Sequence, residues 1–537
     1  MTNNEPIAIA IVGGGAAGTA TAHYLVQLLD KQTRKNAALE IDIYEKRGVI
    51  GPGLAFEKDN DALLMNMVTK DASLFADNLK HFWEWLTLTK QEQYKNIAMG
   101  GSSMAPDGFL PRGLFGHYMG HTFHDAVIKG KQSGIHLRER YCEVTEIDEH
   151  ITGFELRTST SEKYKYDFVV LCTGNSEPRD FYKLQGHARY INNPYPVRNY
   201  LSKIPQNDRI GIIGSQLTAA DIAITMSHGG HQGPINLLSR THELPAIRSI
   251  LRPHNLRFMN LETLEKICLK KNSLSLRDLL RLLRRELKAA GENWQTIFFE
   301  HSKINPRDYF QNGIKNSIKD QPWQSVLVAI DQVVEHYWNK LSEKSKTEFL
   351  NTYHRKWNAK RVPLPITTAY KMSSLLMDGQ LKFSPGLKKI CPKSSHTFFA
   401  YVTDQECSAF TKEAPHEFDW IINATGPDRH VDLTRTHLVR YLIDNGAVNC
   451  NPYGGINVDF YSSALIKPCG KRNERFYALG HPTNGVFYFV SSLEMISNRA
   501  KIVATELVSQ ILGLKMLDAG DSQLDPMLGE KIGIAHE

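Results

Sequence analysis

The segment Ile9–Leu25, with the sequence IAIVGGGAAGTATAHYL, decides the fold. An apolar stretch, Ile7–Val12, predicts a short strand, and the residues after Gly18 have helical spacing. Three glycines lie between the two. Gly13 allows a tight turn, Gly15 lets the main chain approach a pyrophosphate, and Gly18 lets the helix lie close to the strand. The segment therefore predicts a dinucleotide site with the diphosphate at the positive end of a helix.

A second strand, LEIDIYEK, supports this site because it places Glu45 where the ribose hydroxyls need an acceptor. The separation of 27 residues between Gly18 and Glu45 exceeds the usual spacing. We attribute it to a helix extended by the polar stretch DKQTRKNAA at 30–38. A glycine-rich turn in an ordinary α/β domain is the alternative interpretation.

Two later strands each end in a Thr-Gly pair. The apolar stretch 168–172 runs into Thr173 and Gly174, and the stretch 420–423 is followed by Ala424 and a second Thr-Gly pair. Each pattern is typical of a buried parallel strand whose end passes close to a ligand, where a small residue and a glycine are favoured.

Between these strands lies a second strand–turn–helix unit, with Gly214 at the turn and a helix beginning near Leu217. Its glycine pattern is degraded, because Gln216 and Ala219 occupy the places of the second and third glycines. The next strand, PINLLSR, ends in Arg240, which suits the 2′-phosphate of NADP better than the free ribose of NAD. A structural βαβ unit without a ligand is the alternative.

The composition is that of a globular protein with two or three domains. The 537 residues are 42% hydrophobic and 23% charged, and no apolar run approaches the length of a membrane span. The first strand begins without a basic leader, so we expect a cytoplasmic protein with no membrane partner. Seven singly scattered cysteines argue against a disulfide framework, a zinc site or a local redox dithiol, and we expect no metal.

Part of the net charge of +7 comes from residues 251–290, where ten Lys or Arg residues face four acidic residues. The stretch SLSLRDLLRLLRRELKAA within it places leucines on one helical face and arginines outside, with Ser275 and Asp278 as a cap. We interpret it as the solvated face of an amphipathic helix rather than a nucleic-acid surface.

Taken in this order, the glycine turn with Glu45, the two Thr-Gly strand ends and the second unit between them resemble flavoproteins with two dinucleotide-binding domains. The chain looks closest to the bacterial FAD/NAD(P)-binding family that includes nitrosuccinate-forming aspartate N-monooxygenases. It is more loosely similar to ornithine and lysine N-hydroxylases. The narrower match is carried by residues 48–67, 109–119, 211–224, 237–245 and 475–504.

The resemblance implies that the first unit holds FAD. The residues that would line this cofactor are Gly13, Gly15, Ala16 and Gly18 at the pyrophosphate, Glu45 at the ribose, Asn66 near the isoalloxazine ring, Val144 near the adenine, Thr173 and Gly174 on the strand side, and Gly480 and Gly485 in the loop near the flavin. Many such flavoproteins have a Gly-Asp pair near the C-terminus, and this chain has Gly480-His481 in its place.

The resemblance also implies that the second unit holds NADPH. The residues that would face this nucleotide are Gly214, Ser215, Gln216 and Thr218, with Arg240 on the extra phosphate. A surface salt bridge is the alternative for Arg240.

The implied fold is α/β, with two nested Rossmann-like dinucleotide-binding domains and a helical insertion. The FAD-binding domain would comprise residues 1–205 and 426–537, and the NAD(P)-binding domain residues 206–425. Amphipathic stretches such as WQSVLVAIDQVVEHYWNKL predict the helical insertion at about 246–360.

The sequence shows no evident nucleophile, metal cluster or acid–base pair, so we expect the chemistry to belong to the flavin. We expect a monooxygenase: NADPH reduces FAD, the flavin takes up O₂ as a hydroperoxide, and a small amine or amino acid is N-hydroxylated. An NAD(P)H-dependent flavin oxidoreductase without oxygen insertion and a non-catalytic flavin-binding sensor are the alternatives. A disulfide reductase is disfavoured, since no cysteine pair follows Glu45.

Three residues are candidates for the substrate side. Arg112 and His117, in PRGLFGHY, suit a carboxylate, and His481 lies beside the expected flavin loop. An ion pair steadying a loop is the alternative for Arg112, and a satisfied imidazole for each histidine. A homo-oligomer is compatible with the sequence, and we expect no nucleic-acid partner.

Overall fold

The computed structural model describes residues 6–30, 39–88, 105–299, 305–403, 415–430 and 436–513. The first helix ends at Asp30, and the polar stretch at 31–38 that we expected to extend it lies outside these residues.

Strands and helices alternate through most of the described chain. The strands, in chain order, are β1 (Ile7–Val12), β2 (Leu39–Tyr44), β3 (Ile135–Arg140), β4 (Val144–His150), β5 (Gly153–Thr158), β6 (Lys163–Tyr166), β7 (Phe168–Leu171), β8 (Tyr190–Ile191), β9 (Ile210–Ile213), β10 (Ile235–Ser239), β11 (Leu381–Pro385), β12 (Leu387–Pro392), β13 (Phe398–Val402), β14 (His416–Phe418), β15 (Trp420–Asn423), β16 (Ala464–Ile466) and β17 (Arg472–Ala478). The helices are α1 (Ala16–Asp30), α2 (Gly53–Phe56), α3 (His81–Leu88), α4 (Arg112–Gln132), α5 (Arg198–Leu201), α6 (Leu217–His228), α7 (Leu261–Cys268), α8 (Leu276–Ala289), α9 (Trp294–Phe298), α10 (Pro306–Ser317), α11 (Pro322–Ala329), α12 (Val334–Lys340), α13 (Glu343–Thr352), α14 (His354–Arg361), α15 (Ile366–Met377), α16 (His437–Asp444), α17 (Asn484–Phe487) and α18 (Leu493–Ile511).

The first sheet has the strand order β16-β17-β7-β1-β2-β3. Its strands are parallel except for β16, which is antiparallel to β17. The strand order reverses between β1 and β7, so the carboxyl ends of these two strands open a crevice of the kind that binds dinucleotides. Gly13 directly follows β1 and Thr173 lies two residues beyond β7, which brings both predicted elements to this crevice.

The second sheet has the strand order β11-β10-β9-β15-β8, and all its strands are parallel. Its order reverses between β9 and β15, so Gly214 and Ala424 meet at a second crevice. All four residues of β9 are buried, as expected for a parallel strand covered on both faces.

The two sheets are nested along the chain. The second sheet is built from residues 190–423, and the first from residues 7–171 together with 464–478. Two antiparallel sheets, β4-β5-β6 and β12-β13-β14, complete the strand inventory of the described residues. This topology confirms the predicted α/β fold with two Rossmann-like units, while the domain boundaries stay predictions.

The chain between β10 and β11 is helical from Leu261 to Met377 over its described residues. Its last helix, α15, packs on α6 and α10 and so belongs to the helix layer beside the second sheet. The helices before it enclose a separate apolar core that includes Leu283, Trp338 and Phe349. Tyr488, from the C-terminal part of the first unit, also packs into this core.

Helix α8 is the amphipathic helix expected from the leucine pattern. The predicted cap is confirmed, because the Ser275 side chain accepts the Asp278 N–H and the Asp278 carboxylate accepts the Ser275 N–H. Leu283 and Leu287 are buried, whereas Arg281 is exposed to solvent.

Membrane-spanning helices, clusters of metal-ligating side chains and disulfides are absent from the residues that the structure describes. No helix there is long and apolar enough to cross a membrane. No group of three or more His, Cys, Asp or Glu side chains there could hold a metal ion. The six cysteines in the described chain are free thiols.

Candidate cofactor and substrate site

The first glycine turn leaves room only for hydrogen at two of its positions. Gly13 has φ +114°, and a Cβ there would overlap the carbonyl oxygen of Cys172 at the end of the neighbouring strand. A Cβ at Gly18 would overlap the carbonyl oxygen of Gly13. Both glycines therefore hold β1, β7 and α1 close together, with the amino end of α1 directed at the crevice.

A second glycine-rich segment covers this turn. The Gly51 N–H donates to the Gly14 carbonyl oxygen over 2.7 Å. A Cβ added at Gly15 would lie 3.4 Å from the Cα of Gly53, so the two main chains are in direct contact. The cradle at the amino end of α1, whose first residue is Ala16, is thus formed by main chain from both sides.

Glu45 lies at the end of β2 and is 7% exposed. Its carboxylate accepts the Gly14 N–H over 3.0 Å and the Arg47 N–H over 2.9 Å. A carboxylate has about four acceptor positions, so these two bonds leave capacity for ribose hydroxyls. Glu45 therefore steadies the glycine turn in addition to the predicted role, which sequence spacing did not indicate.

The Thr-Gly strand ends both open toward empty space. Gly174 has φ +72° and Gly426 has φ +80°, and a Cβ at either position would meet nothing within 4 Å. The glycines are needed for their backbone conformation, which other residues adopt at a cost, and not for close packing. The space beside them is free for a ligand.

Asn66 and Val144 occupy different environments. The Asn66 carbonyl oxygen accepts the Arg248 Nη2–H over 3.0 Å, which places a guanidinium beside the residue expected near the isoalloxazine ring. Val144 is 3% exposed at the start of β4 and packs with β1 and β7 residues in one core. The contacts of both residues with FAD stay predictions.

The C-terminal loop around Gly480 carries a buried imidazole. Gly480 has φ +78°, and His481 follows it with 9% exposure. The His481 Nδ1 lies 3.4 Å from the Ser176 hydroxyl, just beyond the first Thr-Gly pair. Burial and the positive charge of Arg429 lower the pKa of His481 to about 4, so the ring is neutral at neutral pH. It is therefore not a cationic partner for a substrate carboxylate.

Gly485 completes this loop by close packing. A Cβ there would overlap the carbonyl oxygen of Gly454 and the side chain of Asn451. Its own carbonyl oxygen accepts the Trp338 Nε1–H over 2.8 Å. The loop expected near the flavin is thus held by the helical segment.

Arg112 forms an ion pair, as its structural alternative expected, and its substrate role stays a prediction. Its Nη2 donates to the Asp221 carboxylate over 2.6 Å, and its Nε to the Leu64 carbonyl oxygen over 3.0 Å. The Tyr195 hydroxyl donates to the same Asp221 oxygen over 2.7 Å. Arg112 begins α4 and Asp221 lies on α6, so this ion pair joins the two nucleotide units.

His117 lies one turn farther along α4, on its exposed face. Burial of part of the ring and the nearby charge of Lys58 lower its pKa. The structure therefore gives no arrangement that ties His117 to the crevice of the first sheet, and its substrate role stays a prediction.

The second glycine turn is closed by side chains. Gly214 has φ +127°, and a Cβ there would lie 2.7 Å from the Ala424 carbonyl oxygen. The Ser215 hydroxyl and the Gln216 Nε2 both donate to the Glu243 carbonyl oxygen, over 2.8 and 3.1 Å. The turn keeps its shape through these bonds in place of the missing glycines.

The helix after this turn fits the sheet without a third glycine. Ala219 is completely buried where that glycine is expected, so a methyl group is accommodated between α6 and the sheet. Thr218 is half-buried in the first turn of α6, near the predicted nucleotide.

Arg240 is exposed at the end of β10 and shares an aromatic ring with Arg179. Their guanidinium carbons lie 4.9 and 5.3 Å from the centroid of the Phe181 ring. The Arg179 carbonyl oxygen accepts the Asn423 Nδ2–H over 3.0 Å at the end of β15. Neither guanidinium forms an ion pair with any residue the structure describes, and the role of Arg240 at the extra phosphate stays a prediction. We call Arg179, Phe181 and Arg240 the arginine–phenylalanine cluster.

Two further arginines lie beside the expected flavin and were missed by sequence reasoning. Arg248 has a buried Nε without an acceptor among the described residues, and burial lowers its pKa to about 10 despite the nearby Asp71 carboxylate. Arg429 donates to the Asn484 carbonyl oxygen over 2.9 Å, and burial lowers its pKa. No local motif marks them, because each acquires its place through contacts with distant segments.

These observations fit the two implied cofactors. The first crevice offers a main-chain cradle at a helix amino end and a buried acid, as a dinucleotide diphosphate and ribose require. The second offers a similar turn with unpaired guanidiniums at its edge, as an additional phosphate requires.

One protein family matches the amino-terminal part of the chain by sequence. Residues 10–176 match the family described as FAD-NAD(P)-binding. This match confirms the prediction of an FAD- and NAD(P)-binding protein for this part of the chain. No curated protein sequence matches the chain.

Solved structures share the fold over most of the chain. L-lysine 6-monooxygenase from Pseudomonas syringae superposes with a TM-score of 0.58 and 15% identity, covering 94% of this chain and 100% of that one. Reduced ornithine hydroxylase from Pseudomonas aeruginosa gives 0.53 and 13%, with 94% and 100% covered. The ornithine N-hydroxylase from Kutzneria sp. 744 gives 0.52 and 12%, with the same coverage. At these identities the likeness establishes the fold.

Proposed function

We propose that the chain is an NADPH-consuming, FAD-dependent monooxygenase that N-hydroxylates a small amino acid. One observation carries the substrate side of this proposal. Arg248 and Arg429 donate to the main chain of Asn66 and Asn484, the two segments expected to border the flavin ring. Arg248 keeps a buried Nε–H without an acceptor among the described residues, and such a donor suits a carboxylate, which favours an amino acid over a simple amine.

The protein side of the chemistry begins with binding. FAD, when bound, would supply electron transfer from NADPH and oxygen activation. The cradle formed by Gly13, Gly15 and Gly18 would orient the diphosphate, and Glu45 would accept ribose hydroxyls. These contacts fix the cofactor at the crevice between β1 and β7.

The segment after Gly485 excludes water. Phe487 is 1% exposed and Tyr488 is 4% exposed, and both follow the loop expected near the flavin. Water exclusion strengthens electrostatic contacts and suppresses unproductive release of reduced oxygen. The neutral His481 adds a hydrogen-bonding ring there without adding a charge.

The arginine–phenylalanine cluster supports NADPH as the reductant. Arg179 follows the end of β7 and Arg240 the end of β10, and both reach Phe181 at the carboxyl edge of the second sheet. Two guanidiniums that have no carboxylate partner within the described part of the chain match a 2′-phosphate.

The proposal is tested by rapid mixing of FAD-loaded protein with NADPH, followed by O₂ and a panel of amino acids. A hydroxylamine product formed in proportion to NADPH supports it. Peroxide as the sole product across the panel favours the oxidoreductase without oxygen insertion. A flavin that stays oxidised under excess NADPH favours the non-catalytic sensor and overturns the proposal.

A further inference from the structure

A hollow lined by apolar side chains lies inside the helical segment and reaches Tyr488, which follows the loop expected near the flavin. It is open to solvent on one side, and its walls are almost entirely apolar. Nine of its 17 lining residues are aromatic, and Lys356 is the one charged residue among them. The lining combines residues of α8, α9, α12, α13 and α14 with Tyr488.

Such a hollow is unusual for a protein interior. Side chains in cores pack to the density of organic crystals, and each unfilled apolar space costs stability. The side chains that form its walls are buried, with Leu283 and Trp338 each 3% exposed. An apolar cavity with few polar groups is the usual form of a small-molecule site.

The mouth of the hollow is cationic. The Lys356 Nζ lies 4.1 Å from the centroid of the Phe299 ring, which is 41% exposed, and Lys356 forms no ion pair among the described residues. The Arg284 guanidinium carbon lies 5.3 Å from the centroid of the Trp294 ring, another lining residue. The exposed face of α8 adds further arginines around it. A ligand with one negative end and an apolar body matches this distribution.

We propose that this hollow binds a single-chain carboxylate amphiphile, of the fatty-acid class. The chain would lie among the aromatic rings and the carboxylate at Lys356. This site goes beyond the proposed oxygenation of an amino acid and does not depend on it.

The hollow shares two residues with the support of the flavin loop. Trp338 donates to the Gly485 carbonyl oxygen, and the Tyr488 hydroxyl lies 3.0 Å from the His354 Nδ1. A ligand in the hollow would therefore contact side chains that hold this loop.

The test uses the full-length FAD-loaded protein and 10-bromodecanoate, because bromine quenches tryptophan fluorescence on contact. Trp294, Trp338 and Trp357 line the hollow, so three of the seven tryptophans report on it. Saturable quenching that unlabelled decanoate reverses is expected. Absence of saturable quenching overturns the proposal.

Variants locate the site. Leu280→Phe, which adds bulk to the lining, should abolish decanoate binding measured by calorimetry, with FAD content as the check on folding. Lys356→Ala should weaken decanoate about tenfold, equivalent to about 1.4 kcal/mol, and leave decanol binding unchanged. Lys346→Ala is the matched control. The Lys346 Nζ also lies over an aromatic ring, 5.6 Å from the Trp338 centroid, but Lys346 does not line the hollow. Equal effects of the two lysine variants, or undiminished binding to Leu280→Phe, would show that decanoate binds elsewhere.

Discussion

The two glycine turns occupy equivalent places in the two parallel sheets and achieve their shape by different means. In the first, Gly13 and Gly18 leave no room for a Cβ, and main chain from residues 51–53 closes over the turn. In the second, the side chains of Ser215 and Gln216 hold the turn through the Glu243 carbonyl oxygen. Both turns begin with a glycine that has no room for a Cβ, but the rest of the first turn is shaped by main chain and the rest of the second by replaceable side chains.

The difference extends to the charged residue at each crevice. Glu45 is buried and bonded to the turn that it serves, whereas Arg240 is exposed on the ring of Phe181. We therefore expect the first unit to hold its cofactor permanently and the second to exchange its nucleotide. Substitutions at the two turns should differ accordingly.

The strongest test is Gly18→Ala. Its Cβ would overlap the Gly13 carbonyl oxygen, so β1 and α1 must separate and the cradle is lost. We expect essentially no bound FAD, measured as flavin absorbance per mole of protein after reconstitution. Gly134→Ala is the control, because Gly134 has φ +75° with open space around it and should cost only about 1 kcal/mol. Stoichiometric FAD in Gly18→Ala would refute the backbone account.

A smaller effect is expected for Arg240→Ala. Loss of one charge-assisted contact should weaken binding of 2′,5′-ADP by about 2–3 kcal/mol, or roughly 30- to 160-fold, and leave 5′-AMP unchanged. Calorimetric titration measures both nucleotides. Arg189→Ala is the matched control, since its guanidinium lies 5.6 Å from the Trp420 ring centroid and pairs with Asp208 at 3.2 Å. Equal losses for the two nucleotides would contradict phosphate recognition.

Acid should lower the free energy of unfolding through the buried His481 of the first unit. The unfolded chain takes up this proton near pH 6.5, whereas the folded chain does so only near pH 4. The free energy of unfolding should therefore fall as the pH falls from 6.5 to 4, by on the order of 2 kcal/mol from this residue. Denaturant unfolding of wild type and His481→Gln over this range measures it. An identical pH dependence in both proteins would exclude the contribution.

The smallest effect is expected for Gln216→Ala. It removes one of two hydrogen bonds to the Glu243 carbonyl oxygen, and Ser215 still holds the turn. NADPH affinity should fall by less than about fivefold, consistent with about 1 kcal/mol for one neutral bond. FAD content should not change. A loss comparable with that of Arg240→Ala would mean that the second turn is as demanding as the first.

Sequence reasoning predicted the parts of the molecule that local patterns specify. The first turn, the Thr-Gly strand ends and the capped helix α8 follow from spacing over a few residues, because they express backbone conformation and one-sided burial. The nested order of the two sheets followed from recognising these units in sequence. The degraded turn was also identified, although its replacement bonds to Glu243 were not.

The residues that sequence reasoning missed depend on contacts between distant segments. Arg112 matched a substrate role by charge alone, since its partner Asp221 lies 109 positions away. Arg179 meets Arg240 only because β7 and β10 end at neighbouring crevices. Arg248 reaches Asn66 across 182 positions. Charge and local spacing carry no information on such partners.

The Arg112–Asp221 bridge also limits how the molecule can move. Rotation of the second unit away from the first would separate Arg112 from Asp221 and break the ion pair between them. The two crevices should therefore keep one relative orientation for most of the time. We accordingly expect reducing equivalents to pass between them mainly through movement of the bound nucleotides.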